Sequence, residues 1–199
     1  LLFAGEIGLR YRYKHYKFWL DYSYSNYRQH INQHIQQFTQ DGVVNFYGDY
    51  AFDYYRGHSL FLTSEYTKKE RRILNNILPR KGFNRRIKLG YEWNHFMDNF
   101  AVNEEYGTFG ANFIPHNTFR AILDIENHYS LITDLNVSYT LSGKFGWISN
   151  YDIDDFFHFF SGGETGVKGY TFYEESLTGP SQIVISNTIR FPIFIEKNH

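Results

Sequence analysis

Cysteine is absent from the chain. That excludes a disulfide framework, a thiolate nucleophile and any thiolate metal site. Long apolar runs are missing too, since none approaches the ~20 residues that a membrane-spanning helix needs. Neither sign of charge is in excess: 20 Lys and Arg stand against 21 Asp and Glu, a formal net charge of −1. No basic surplus therefore marks the chain as a nucleic-acid binder. A basic n-region with a cleavage site is also missing. The chain opens LLFAGEIGLRYRY, already in strand pattern, and is expected to be a portion of a longer protein.

Aromatic residues are abundant. They make up 21% of the chain, with 18 Tyr and 20 Phe, yet the mean hydropathy is −0.49. A soluble core mixes its aromatics with many Leu, Val and Ile, and this sequence is comparatively poor in those. A membrane barrel combines aromatic girdles at both interfaces with a polar lumen, which gives many aromatics and a hydrophilic average.

Period-2 alternation dominates the sequence. Leu135, Val137, Tyr139, Leu141, Phe145 and Trp147 share one face, opposed by Asp134, Asn136, Ser138, Thr140, Ser142 and Lys144. Before them, Phe119, Ala121, Leu123, Ile125 and Tyr129 oppose Arg120, Asp124, Glu126 and His128, and Ser130 to Thr133 read as the turn between the two. Six further segments alternate in the same way, around Ile7–Tyr13, Phe18–Tyr24, Val44–Phe52, Leu60–Tyr66, Ile87–Trp93 and Ile183–Phe191. A short turn is expected at Arg56-Gly57, a polar helical turn within residues 28–40, and irregular connections over 69–82 and 95–117.

Eight antiparallel strands result. They are long beside globular strands of ~5–6 residues and match the ~9–11 of a tilted membrane strand. The apolar face is richest in Tyr, Trp and Phe near strand ends, as an aromatic belt requires. The expected class is all-β, a transmembrane antiparallel β-barrel.

Other chemistry is sparse. His30 and His34 stand four apart without a third ligand. Asp152, Asp154 and Asp155 match no calcium-loop spacing. No G-x-S-x-G elbow, P-loop or Ser/His/Asp set is found. The expectation is no catalytic residue, no metal site and no cofactor.

From Phe156 to Phe194 the chain reads FFHFFSGGETGVKGYTFYEESLTGPSQIVISNTIRFPIF. Gly162-Gly163, then Val167-Lys168-Gly169-Tyr170, then Arg190-Phe191-Pro192-Ile193 resemble a loop and strand end of the BamA/TamA/FhaC superfamily, the bacterial surface antigen family. There a GG…VRGY or VRGF motif precedes a strand ending in RFPL or similar. The stretch Leu78–Phe83, LPRKGF, resembles the family's Pro-x-x-Gly start of an earlier strand.

The resemblance implies a sixteen-stranded barrel of which this chain supplies strands five to twelve. Its loop, 148–180, would fold into the lumen. Connection 95–117 would be extracellular and 69–82 periplasmic. Lys168 occupies a position that is usually Arg, which pairs with acidic residues of the inner wall. Lys offers a point charge where Arg offers a fork, and Glu92, Asp124 and Glu126 are the carboxylates on the polar face here.

The implied location is the bacterial outer membrane, and the implied function is non-enzymatic insertion or translocation of client proteins. Implied partners are outer-membrane lipids, client outer-membrane or secreted proteins, and periplasmic or lipoprotein accessory subunits, with no nucleic acid. Two alternatives stay open. One is a barrel anchor for a fused patatin-like lipase or propeller domain. The other is a small closed eight-stranded barrel of the porin or adhesin type, which would pair its first strand with its last.

Overall fold

The computed structural model describes residues 2–39, 42–70, 81–103, 108–133, 137–163 and 166–191. Among them the chain is all-β, with two single 3-10 turns and no α-helix. The strands are β1 (Leu2–Tyr13), β2 (Tyr16–Thr39), β3 (Gly42–Lys69), β4 (Gly82–Asn103), β5 (Thr108–Pro115), β6 (Thr118–Ile132), β7 (Val137–Ile148), β8 (Phe159–Phe160), β9 (Thr178–Gly179) and β10 (Ser181–Arg190). Eight of them form one antiparallel sheet in the order β1-β2-β3-β4-β6-β7-β10, with β5 paired to the far half of β4. Strands β8 and β9 make a small ladder within the β7–β10 connection. Short connections between alternating segments favour such an up-and-down meander, because a parallel neighbour needs a long crossover. No ladder joins β1 to β10 among the described residues, so the sheet is open rather than a closed eight-stranded barrel.

Several sequence expectations are corrected. There is no turn at Arg56-Gly57: the segments around Val44–Phe52 and Leu60–Tyr66 are one strand of 28 residues. Nor is there a helical turn within 28–40, where β2 runs on to Thr39 and pairs with β3 throughout. Ile31, Ile35 and Phe38 of that stretch stand at helical spacing, and the long cross-strand ladder overrides it. The 95–117 connection is largely a hairpin, β4 with β5. Strand β6 runs to Ile132, so Ser130 to Ile132 are strand rather than turn, and β7 begins at Val137.

The expected turn fell on the polar, glycine-containing Arg56-Gly57 stretch, which the ladder crosses beside one β-bulge. The register shifts between Tyr27 and Arg28, so that Tyr27 faces Tyr55, Arg28 faces Asp53, and Tyr54 is the extra residue. A bulge keeps the ladder but switches which face the following residues take. The apolar residues keep even numbers on both sides of it, at Val44, Phe46, Tyr50 and Phe52 and at Leu60, Leu62 and Tyr66, so the local pattern gives no sign of the bulge.

The sheet is built inside out. The outward face carries Ile7 (74% exposed), Leu9 (70%) and Ile183 (72%). Among the described residues the buried set is mainly polar, including Thr63, Glu65, Glu92, Asn94, Thr118, His128, Ser138, Thr140 and Gln182. Register makes each face continuous. On the outward face Leu9, Leu20, Leu62, Leu89 and Ala121 stand side by side across five strands. On the polar face Lys17, Glu65, Arg86, Asp124 and Lys144 do the same, alternating in sign. Lys17 and Arg86 reach Glu65 at 2.9 and 3.1 Å. Opposite charges placed directly across from one another favour this register over a one-residue slip.

Aromatic rings fringe the outward aliphatic band at both ends. Tyr16 and Tyr66 (4.5 Å between ring centres), Phe83, and Tyr129 with Tyr139 (6.0 Å) mark one end. Tyr91 with Trp93 (4.9 Å), and Phe119 with Trp147 (6.3 Å), mark the other. The first end carries the two-residue turn between β1 and β2, where Lys14 takes φ +53°, and the connections after β3 and β6. The second end carries the β2–β3 and β4–β5 extensions and the long β7–β10 connection.

Beyond the second girdle the outward face turns polar. Asp53 there accepts from Asn26 Nδ2 (3.1 Å) and Arg56 Nη2 (2.9 Å), with Arg28 Nε at 3.4 Å. Partial burial pushes the Asp53 carboxyl up, but these hydrogen bonds and the two guanidinium charges outweigh it and hold its pKa below the usual carboxylate range.

Candidate functional site

The polar face is partly covered by the chain itself. After β7 the connection turns back over that face, and the wall side of its anchor is built first from three strands. Tyr55 of β3 donates to Asn94 Oδ1 of β4 at 2.7 Å. Glu92 of β4 accepts both arms of Arg120 from β6, Nε at 2.9 Å and Nη2 at 3.2 Å. Phe96 of β4 lies 5.1 Å from Tyr55, ring to ring.

On the loop side, Asp154 caps a single 3-10 turn, Asp155–Phe157, by accepting from Phe156 N at 2.8 Å. The cap fixes two adjacent phenylalanines toward the wall. Phe157 reaches Tyr55 (5.1 Å) and Phe96 (5.4 Å), and Phe156 meets Tyr27 edge-on at 6.3 Å. The Phe157 carbonyl accepts from Arg120 Nη2 at 2.7 Å, so one guanidinium joins wall carboxylate to loop backbone.

Phe159 completes the anchor. It lies under the Arg120 guanidinium at 5.1 Å and packs with Ile148 and Ile153, the apolar cluster on this face. Its ring fills the space over Gly146, where a Cβ would come within 2.7 Å of it. Ser161 Oγ then donates to Gln182 Oε1 of β10 at 3.1 Å. Arg120 and Glu92 are each 12% exposed in their side chains. A buried pair of this kind holds geometry well but is costly to break from one side.

The glycine motif forms a tight reversal beyond the anchor. Val167 N donates to Ser161 O (2.7 Å) and Gly163 N to Tyr170 O (3.1 Å), while Gly162 and Val167 form an isolated parallel bridge. Gly163 and Gly169 have φ of +84° and +93°, in the left-handed region. A Cβ on Gly162 would collide with the Thr171 carbonyl. Tyr170 is exposed.

Lys168 is exposed and makes no ion pair or hydrogen bond with any described residue. It lines a cavity of about 400 Å³ together with Asp124, Glu126, Arg86 and Lys144. Two of the three carboxylates expected as its partners are engaged elsewhere, and Asp124 makes no ion pair with a described residue. Glu92 is held by Arg120. Glu126 meets Lys69 (3.4 Å) and His128 Nε2 (3.3 Å). Asp124 stands between Arg86 and Lys144 in the ladder.

Arg190 lies on the polar face and donates to Thr140 Oγ1 at 3.0 Å, and Phe191 is exposed outward at 70%. Pro192 lies outside the described residues, as do Leu78, Pro79, Arg80 and the side chain of His34. Gly82, with φ +137°, opens β4 tightly against the Lys68 carbonyl.

No family model matches the chain. No curated protein and no solved structure gives a significant match either. The site is therefore read from its own residues. Among those described, no group of three His, Asp or Glu is placed to hold a metal. What the arrangement does chemically is hold a loop against a polar wall through a buried guanidinium and stacked rings. Sequence reading missed Arg120, Phe157 and Tyr55 as a unit. The signal was the FFHFF run, an apolar cluster behind an Asp cap in an otherwise polar connection.

Proposed function

We propose that these strands are part of the wall of an outer-membrane β-barrel of the bacterial surface antigen type, which inserts or translocates client proteins without covalent chemistry. The observation that carries the reading is the pairing of two opposite faces. One is an exposed aliphatic band between aromatic girdles. The other is a polar wall on which the β7–β10 connection lies, with Lys168 in the same cavity as Asp124 and Glu126. Lipid accepts the first face, and a lumen with an inward loop accepts the second.

The unpaired edges β1 and β10 require further strands, because the bilayer core does not tolerate open edges. The sheet has seven positions across. If β7 and β10 are the strands flanking the motif loop, the eleventh and twelfth of the family pattern, then β1 is the sixth rather than the fifth. In this reading a weak seam elsewhere in the barrel offers an edge on which client strands add by main-chain pairing. The inward loop braces the wall.

The test uses the absence of cysteine from these 199 residues, with any cysteine elsewhere in the protein replaced by serine. In the full-length protein reconstituted in lipid vesicles, Ile87→Cys and Leu89→Cys are expected to react with a lipid-phase reagent, and Lys88→Cys only with an aqueous one. Aqueous labelling of all three would refute a membrane wall. Lys168→Ala is expected to lower heat-resistance of the barrel on gels or client assembly. Wild-type behaviour in both assays would count against the family function while leaving the wall intact.

A further inference from the structure

The near-neutral total conceals a strong local imbalance. From Lys68 to Lys88 the sequence holds nine basic residues and one acidic, a net of +8, while the other 178 residues carry a net of −9. This run spans the end of β3 and the start of β4, at the short-turn end of the sheet.

Of its described members, Lys69, Arg86 and Lys88 belong to the polar face, where Lys69 meets Glu126 and Arg86 meets Glu65; the outward ones are arranged in a definite way. Lys68 is exposed and follows Tyr66 by two on the outward face, and it pairs in register with Phe83. Arg85 lies outward with its guanidinium 5.1 Å from the Phe83 ring. Lys81 is exposed just before β4. Two strands away, at the same edge, Lys14 places its Nζ 5.1 Å from the Tyr13 ring. None of these four makes an ion pair with a described residue, although Arg85 donates to backbone carbonyls and to Asn127. A cavity of about 890 Å³ opens along this edge, lined by Lys68, Lys69, Lys81, Phe83 and Tyr129, with Glu70 the one carboxylate among them.

The opposite girdle differs: there the outward arginines Arg28 and Arg56 share Asp53. Uncompensated outward charge is thus a property of one end.

We propose that this basic edge binds the phosphate groups of anionic lipids in the leaflet on the short-turn side. The assignment rests on the membrane-wall reading above and adds a ligand to it. Tyr and Phe rings settle at headgroup level, and lysine stems lie along apolar surface while their ammonium groups reach outward to the phosphates. Clustered basic residues at that depth attract anionic lipid. An acidic polypeptide would suit the charge equally, but these cations stand on the same face as the aliphatic band and interleave with its aromatic fringe. That position belongs to the bilayer surface.

The test compares the full-length protein in phosphatidylcholine vesicles with and without phosphatidylglycerol, reading the thermal midpoint of the folded band on gels. Phosphatidylglycerol is expected to raise the midpoint by a few degrees, and high salt to cancel the rise. The triple variant Lys14→Gln, Lys68→Gln, Lys81→Gln is expected to lose that increment, and the triple Arg replacement to keep it. Equal wild-type midpoints in the two lipids would overturn the proposal, as would an increment that the Gln variant retains. Stabilisation by aqueous polyglutamate in place of phosphatidylglycerol would reassign the edge to an acidic polypeptide, which also overturns it. Failure of Leu89→Cys to label from the lipid phase in either vesicle would instead strike the wall reading, and the lipid site with it.

Discussion

Two rows of one sheet, on opposite sides of the same backbone, follow opposite rules. Leu9, Leu20, Leu62, Leu89 and Ala121 line up outward with nothing from the chain covering them. Lys17, Glu65, Arg86, Asp124 and Lys144 line up inward and neutralise one another. In a soluble sheet the apolar row would face a core and the charged row would face water. Here the only apolar cluster among the described buried residues, Ile148 with Ile153 and Phe159, lies on the charged side and comes largely from the loop. The order of the sheet therefore rests on the ladders, on inward ion pairs and on the loop anchor, with the aliphatic face left to its surroundings.

The comparison breaks most severely at the loop anchor. Arg120→Ala would strand a buried Glu92 carboxylate and release the Phe157 carbonyl. The expected loss is about 3–5 kcal/mol, measured by urea unfolding of the full-length protein in vesicles. Replacing both partners, Arg120→Met with Glu92→Leu, is expected to restore most of that loss, because no unpaired charge remains. A double variant as weak as the single one would show that the pair is not the anchor.

A smaller break is expected on the outward row. Leu89→Arg should cost about 2–4 kcal/mol if the row sits mid-bilayer. The next residue makes the contrast sharp: Lys88 points the other way, with its Nζ 4.1 Å from the Phe61 ring. Lys88→Met should cost only the cation–π contact, about 0.5–1 kcal/mol. Equal penalties at 88 and 89 would erase the distinction between the two faces.

The smallest effect concerns the polar extension beyond the second girdle. The native Asp53 pKa lies below its unfolded value, so its contribution is present above the unfolded value and fades as pH falls through the native one. The pairs are partly exposed, so the amplitude should stay under about 1 kcal/mol. An NMR titration of the Asp53 carboxyl should place its midpoint below the ordinary ~3.9, and Arg56→Gln should raise it. A midpoint at or above the ordinary value would remove the cluster as a local staple.

Much of the sheet was legible because alternation is strictly local. The Phe119–Tyr129, Ile87–Trp93 and Ile183–Phe191 segments each lie where their period-2 pattern put them, and Arg120, Asp124 and Glu126 do face the polar side. Reading failed where local pattern and pairing parted. Arg56-Gly57 looked like a strand break because it interrupts the apolar series with a polar residue and a glycine, yet the ladder runs through it. The Gln- and His-rich end of β2 spaces Ile31, Ile35 and Phe38 as a helix would, and only the ladder with β3 overrides that. Glu92 was correctly read as a polar-face residue, but its partner is Arg120 of the wall rather than Lys168 of the loop. Which cation wins a carboxylate depends on register and distance, and residue types do not encode those one at a time.

The sequence by itself determined the all-β class, the two unlike faces and the aromatic fringe. These follow from side-chain alternation across a pleat, which acts between near neighbours. The tertiary structure alone decided that two predicted strands are one, that the sheet has seven positions with open edges, and that Phe157 sits on Tyr55 under the reach of Arg120. Those are matters of cross-strand register and of where a long connection comes to rest, set by burial and pairing among residues far apart in the chain.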